Sequence, residues 1–432
     1  MHDKLTTRAD ELIAANDEWL TASKTLFDPL NWTDTDAIEC RRKAFSELSL
    51  YTYVADHYSP ESLEELSAFV RERTTDPAYV NLLRRDPTQL LRYAPALTSV
   101  HRITGGDETL REAVTEAVRH PTILGTEWAE NRQLDVSRLA ALVDSEPPFD
   151  PEMALNRSAV ADEATLVTGA EKDAYAFTHV VLFCTDFATE QVPLGDLSEY
   201  ELQTTIDGYI CRFLAEGHTD LVAELAMCGV ITGSVTPAVL DWATEWLYEE
   251  TLAVGHTPGP KSTVAIPTLS GATPDDTDPE EIEPEEMDLP GEWVEDYHTS
   301  LVTGMLGRVL SHRHDRVPEL ETTIDDEALL TLGAAMDAFS DYRLQEGADK
   351  LVQLGGDELP TALEPVVRRI EVFLRDQRRE DGTFGYWTDE RRQFTIAGHG
   401  TDEFEAGPLS RTTAACEEAV NVIESITERH HR

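Results

Sequence analysis

The sequence predicts an all-α protein. Apolar residues recur at helical spacing through most of its 432 residues. Hairpin signals such as Asn-Gly between alternating runs are missing, and Gly- or Pro-containing turns separate segments of about ten to eighteen residues. A hydrophobic content of 41% supports real cores, and the length allows about two or three domains.

Taken in order, residues 8–26 place Leu12, Ile13, Leu20 and Leu26 at near-helical spacing. Ser62-Leu63-Glu64-Glu65 has the form of a capping box opening a helix over 61–72, with Leu63, Leu66 and Val70 on one side. Asp107 and Asp135 are read as N-caps of helices over 107–119 and 135–144. Further helices are expected over 173–190, 197–216, 218–231, 236–253, 296–312, 326–345, 360–378 and 408–428. No strict repeat period is present. The expected organisation is a helical N-terminal region over 1–150, one helical domain in two parts over 151–254 and 296–432, and an insertion over 255–295.

The insertion carries Pro258, Pro260, Pro267, Pro274, Pro279, Pro284 and Pro290 among dense carboxylates. Prolines block helix propagation and the acids repel one another, so a solvated loop is expected. Asp275, Asp276 and Asp278 look like the aspartate clusters of terpene synthases. Such clusters need a rigid helical wall, whereas Pro274 and Pro279 flank this one. The run is read as composition and not as catalysis.

Charge narrows the function classes. Eighty-three Asp and Glu against 35 Lys and Arg give a formal charge of −48, and only six of the basic residues are lysines. A chain this negative, with no basic patch, repels phosphates, so nucleic acid is not an expected partner. Acidity spread along the chain with few lysines reads as adaptation to concentrated salt. No stretch approaches the ~18 consecutive apolar residues of a membrane span, and Met1-His2-Asp3-Lys4 opens no signal-peptide pattern. Cys40, Cys184, Cys211, Cys228 and Cys416 are scattered and odd in number, with no C-x-x-C, which gives neither a disulfide framework nor a thiolate cage. A soluble, cytoplasmic protein is expected.

Phe373 to Trp387 carries a more specific pattern. An amphipathic run through Val366, Val367, Ile370, Phe373 and Leu374 ends near Gln377. Asp381-Gly382, Phe384, Gly385, Tyr386 and Trp387 follow. This resembles the QW-type motif of the α/α-toroid proteins, among them terpene cyclases and protein prenyltransferase β-subunits. There the glutamine caps a helix end and stacks near the tryptophan, while glycines permit turns of positive φ. The resemblance covers about 15 residues, implies a toroid-like helical barrel and says little about chemistry.

Two segments read as helices facing a cavity. Ala174 to Phe187 contains Tyr175, Thr178, His179, Cys184 and Asp186; Asp296 to Leu306 contains Tyr297, His298 and Thr299. In a continuous helix His179 and Asp186, seven residues apart, share a face, and Cys184 points away from it. The Thr178-His179…Asp186 and Tyr297-His298-Thr299 patterns are similar to those of an uncharacterised bacterial and archaeal family.

Read as catalysis, His179 and His298 are acid/base groups, Asp186 orients a histidine and Tyr297 lines the site. Read as a metal centre, Cys184, Asp186 and His298 offer the residue types of the single zinc in prenyltransferase β-subunits, with the Asp-x-Cys order reversed. The first function class is thus an enzyme acting on a peptide or an apolar, isoprenoid-like small molecule. The second is a non-catalytic scaffold holding a peptide or partner protein. Read blandly, each histidine is a satisfied polar group in the core.

Overall fold

The computed structural model of the chain describes residues 2–31, 37–59, 63–158, 160, 165–189, 199–260, 289–316, 326–354, 361–380, 382–384 and 409–430. Within these residues the regular structure is helical, with one isolated bridge between Arg378 and Phe384 and no β-strand. The first half comprises α1 (His2–Ser23), α2 (Ala37–Tyr58), α3 (Glu64–Thr75), α4 (Pro77–Arg85), α5 (Leu90–Ile103), α6 (Glu108–Val118), α7 (Pro121–Gly125), α8 (Glu130–Leu142), α9 (Pro151–Leu155) and α10 (Thr165–Thr168). The second comprises α11 (Glu171–Cys184), α12 (Glu199–Glu216), α13 (Thr219–Thr232), α14 (Pro237–Val254), α15 (Gly291–Arg313), α16 (Asp326–Ser340), α17 (Leu344–Gln353), α18 (Glu364–Asp376) and α19 (Leu409–His430). No described helix is long and apolar enough to cross a membrane.

Helix α15 is the axis of the packing. It runs against α1, α2 and α13 at once and is buried on every face from Thr299 to Leu310. Such a helix must be apolar or small all round, and Leu301, Val302, Gly304, Met305, Leu306, Gly307, Val309 and Leu310 meet that requirement. Gly304 and Gly307 set the approach distances: a Cβ at 304 would overlap the Tyr51 phenol, and one at 307 would lie 3.0 Å from the Ala9 carbonyl. Arg308 is the polar exception. Fully buried, it binds both oxygens of Asp17 at 2.9 and 2.8 Å and donates to the Tyr51 hydroxyl at 2.7 Å. The pair clamps α1 and α2 to α15.

On one side, α2 carries a layer made with α5, α6 and α8; on the other, α12 packs on α16, which leads through α17 to α19. One apolar core runs from Leu5 to Ile426 through all these layers.

Several expectations are corrected. Residues 37–58 and 90–103, unassigned by periodicity, are the helices α2 and α5. Polar residues conceal the period of α2: Arg41, Arg42, Lys43, Ser46, Glu47 and Ser49 are all buried. Asp107 does cap α6, accepting from the Thr109 and Leu110 amides. Asp135 instead lies inside α8 in an ion pair with Arg132. Ser62 of the expected capping box lies outside the described residues, as do 261–288 of the insertion, with Asp275, Asp276 and Asp278.

The insertion's two ends belong to the core. Gly255, at φ +89°, closes α14; Thr219 donates to the Pro258 carbonyl, and Trp293 is buried. Of the QW-like segment, Gln377 ends α18 and Gly382 takes φ +83°, while Trp387 lies outside the described residues. Among the described helices α15 is enclosed by α1, α2 and α13.

Candidate functional site

Polar groups converge where α2, α11, α13 and α15 meet. Asp220 and Glu224 sit four residues apart on α13 and therefore share one face. Asp220 lies in the first turn, where the helix dipole favours a negative charge. Tyr175, Thr178 and His179 share a face of α11 at spacings of three and four. Lys43 and Glu47 lie four apart on α2, and His298 enters from α15.

His298 is the hub. Its Nδ1 lies 3.0 Å from Glu47 Oε2; its Nε2 lies 3.4 Å from Asp220 Oδ1 and 3.7 Å from Glu224 Oε1. The remaining oxygen of each α13 carboxylate is held by an α11 hydroxyl: Tyr175 donates to Asp220 Oδ2 at 2.6 Å, and Thr178 donates to Glu224 Oε2. Lys43 Nζ stands 3.8 Å from Glu47 Oε1. Asp220 is 1% exposed and Glu47 and Glu224 are 4% exposed, so the three carboxylates are out of water.

Burial and charge work against each other here. Burial pushes His298 down, yet Asp220 and Glu47 with the carboxylate hydrogen bonds hold its pKa well above the usual range. Burial raises Glu47, but Lys43 and His298 outweigh it and leave the carboxyl below its ordinary value. Glu224 is raised, by burial first and then by Asp220. His179 is driven well below its usual value by burial, helped by the positive charges of Arg132, His298 and Lys43. The two histidines are therefore pushed in opposite directions.

They also line one cavity, of about 30 Å³. That is room for one or two waters. Glu47 and Glu224 complete its polar side; Leu50, Leu182, Phe183, Phe187, Met227, Leu301, Val302 and Met305 form the apolar remainder. His179 Nδ1 is buried and has no hydrogen-bond partner.

Of the residues singled out in the sequence, the structure brings His179 and His298 to one cavity. Tyr297 stands beside them, fully buried, its ring 6.3 Å from that of His298, with burial and the Glu47 charge pushing its phenol up. Asp186 and Cys184 go elsewhere. Helix α11 ends at Cys184, and Asp186, Phe187 and Ala188 take φ of 45°, 53° and 69°. The shared face of His179 and Asp186 required a helix continuing through 186, which this left-handed turn prevents.

Asp186 is instead held by Arg138, whose Nε donates at 2.8 Å, by Tyr53 and by Thr189 at 2.7 Å. It faces a separate crevice of about 280 Å³ with Tyr53, Asp56, His57, Arg102 and Thr189. Burial pushes the Cys184 thiol up to about 12, and Asp135 adds to it, so the sulfur stays protonated. Among the described residues the groups of potential metal ligands are Asp220–Glu224–His298 and His256–Glu292–Asp296; Cys184 and Asp186 join neither. The expected Cys184–Asp186–His298 set is not assembled.

Asp220, Glu224, Glu47 and Lys43 were missed. A signal existed for the first two: carboxylates at i and i+4 inside Leu221-Val222-Ala223 and Leu225-Ala226-Met227, a run otherwise apolar. In a chain with 83 acidic residues such a pair does not stand out.

No curated protein and no solved structure matches the chain. A family model matches residues 14–308, a span that contains every side chain of the His298 centre. The chain belongs to the family described as "Domain of unknown function (DUF6895)".

Proposed function

We propose that the chain is an enzyme whose reacting centre is the cavity between His179 and His298, where a proton moves to or from a water molecule or the reacting end of a small apolar molecule. The observation that carries this reading is His179, which lines a cavity with room for a water and whose buried Nδ1 has no hydrogen-bond partner. A buried nitrogen costs about 1–3 kcal/mol unless a water or a ligand answers it. Neutral His179 supplies a base, and His298 with Glu47, Asp220 and Glu224 holds a positive charge opposite it. The apolar walls favour an apolar substrate over a peptide backbone. None of these residues falls in the toroid-like segment 373–387. On its charge we place the protein in a salt-rich cytoplasm.

A second reading, a binding scaffold, draws on the polar crevice at Tyr53, Asp56, His57 and Arg102. The two part on stability. A group kept for chemistry is a liability to the fold, so His179→Leu should raise the melting temperature by several degrees. A drop on that substitution would mark His179 as a satisfied core residue and remove the base from the proposal.

A further inference from the structure

We infer that the His298 centre binds one divalent transition-metal cation on Asp220 Oδ1, Glu224 Oε1 and His298 Nε2. This rests on reading the same cavity as the functional centre. The three atoms lie within 4.8 Å of one another. Metal–ligand bonds of about 2.1 Å at tetrahedral or octahedral angles separate ligand atoms by roughly 3.0–3.4 Å. The observed 3.4 and 3.7 Å from His298 Nε2 are close to that spacing and longer than the ~2.8 Å of a charge-assisted hydrogen bond.

Every ligand is aimed from behind. Tyr175 holds the far oxygen of Asp220 and Thr178 that of Glu224, which leaves Oδ1 and Oε1 for the cation. Asp220 Oδ1 is buried and makes no hydrogen bond. Glu47 at 3.0 Å fixes His298 through Nδ1, the carboxylate–histidine–metal arrangement that presents Nε2 as the ligand. His179 is the independent pointer to a ligand. It reaches the same cavity from α11, and its unpartnered Nδ1 is left to a water bound to the cation, since His179 lies outside the group of ligand atoms within 4.8 Å.

Charge agrees. A dication together with Lys43 balances Glu47, Asp220 and Glu224, whereas an imidazolium with Lys43 leaves one negative charge buried among them. One imidazole with two carboxylates suits Mn²⁺, Fe²⁺ or Zn²⁺ better than Mg²⁺ or Ca²⁺, which take oxygen ligands. The second group, His256–Glu292–Asp296, is already occupied by the protein. His256 takes one Asp296 oxygen at 2.8 Å and the Gly259 amide the other at 2.7 Å, while Glu292 is exposed.

The test uses the full chain, stripped with a chelator and titrated with Mn²⁺ and with Zn²⁺ by calorimetry, with metal content measured after gel filtration. The expected result is ~1 equivalent per chain and a raised melting temperature. Glu224→Gln and His298→Gln, close in shape to the native residues, should each weaken binding at least about 100-fold, and Glu47→Gln about 10- to 100-fold. Glu292→Gln and Cys184→Ser should bind as the parent does. Wild-type chain that takes up neither ion overturns the inference, as does binding lost on Glu292→Gln and kept on Glu224→Gln. The two proposals fail separately: no metal uptake with His179→Leu still stabilising removes the cation and keeps the proton-transfer centre. Uptake with His179→Leu destabilising keeps the cation and removes the base.

Discussion

A buried carboxylate is tolerated only where its partners answer for it, and two aspartates show opposite outcomes. Asp186 is 4% exposed and is held below the ordinary carboxylate range: burial raises it, but the Arg138 charge and the hydrogen bonds from Tyr53, Thr189 and Arg138 prevail. Replacing it with Ala leaves the largely buried Arg138 guanidinium without its carboxylate. Urea denaturation should show a loss of about 3–5 kcal/mol. A cost below about 1 kcal/mol would show that the pair is not structural and would return Asp186 to the list of reacting groups. Asp207 on α12 has weaker support. It accepts from the Thr236 amide at 2.9 Å and the Thr236 hydroxyl at 2.6 Å, yet burial pushes it up to about 7. The folded pKa lies above the unfolded value near 3.8, so the native state retains a proton that the unfolded chain releases. That contribution is complete below the unfolded value and disappears as pH rises through about 7, by about 1.4 kcal/mol per pH unit across the window. Asparagine does not titrate. The stability of wild type minus that of Asp207→Asn should fall between about pH 5 and pH 7 and level off above about pH 8. Parallel curves would mean that Asp207 is ionised throughout.

At the scale of elements, close helix approach depends on a few glycines. Gly333 on α16 faces α12, and a Cβ there would overlap the Cys211 carbonyl, a backbone atom that cannot step aside as a side chain can. Gly333→Ala should destabilise by about 1–3 kcal/mol, although alanine gains nearly 1 kcal/mol in helix propensity. Gly291, where α15 begins, has open space around it, and Gly291→Ala should be neutral or slightly stabilising in the same melts. Equal losses at both positions would mean that packing is not the cause. The same packing explains what the sequence disclosed. Helices with one wet face and one dry face, such as α6 and α18, were legible from spacing. Helix α2 was not, because its polar residues are buried and paired with other helices, so no apolar stripe marks it. His179 and His298 stood out as polar residues heading apolar runs. Their carboxylate partners did not, since Glu47 lies 251 residues from His298 and acidic residues are everywhere in this chain. Asp186 was misplaced for a local reason: nothing in Cys184-Thr185-Asp186-Phe187 announces three successive left-handed residues.

For the whole molecule, the imbalance of charge lies on the outside, because buried acids and buried bases among the described residues nearly cancel. Arg8, Arg41, Arg42, Lys43, Arg212 and Arg308 are buried and committed to partners or carbonyls within the fold, so part of the small positive complement does not reach the surface. The exterior then carries most of the −48 with few cations to relieve it. Repulsion among exposed carboxylates opposes the compact state, and its reach is set by the Debye length, about 10 Å at 0.1 M salt and about 3 Å at 1 M. Buried pairs such as Arg308–Asp17 are screened far less, so added salt relieves the repulsion and leaves the internal clamps in place. The melting temperature should therefore climb steeply as KCl is raised from about 0.05 M to about 2 M, with the largest gain below about 1 M, where the Debye length shortens most. Lowering the pH to about 5 at low salt should reproduce part of the gain only if the most crowded carboxylates begin to protonate there. A melting temperature flat across this range of KCl would show that the surface acids are spaced widely enough not to repel. The acidic composition would then need a cause other than concentrated salt.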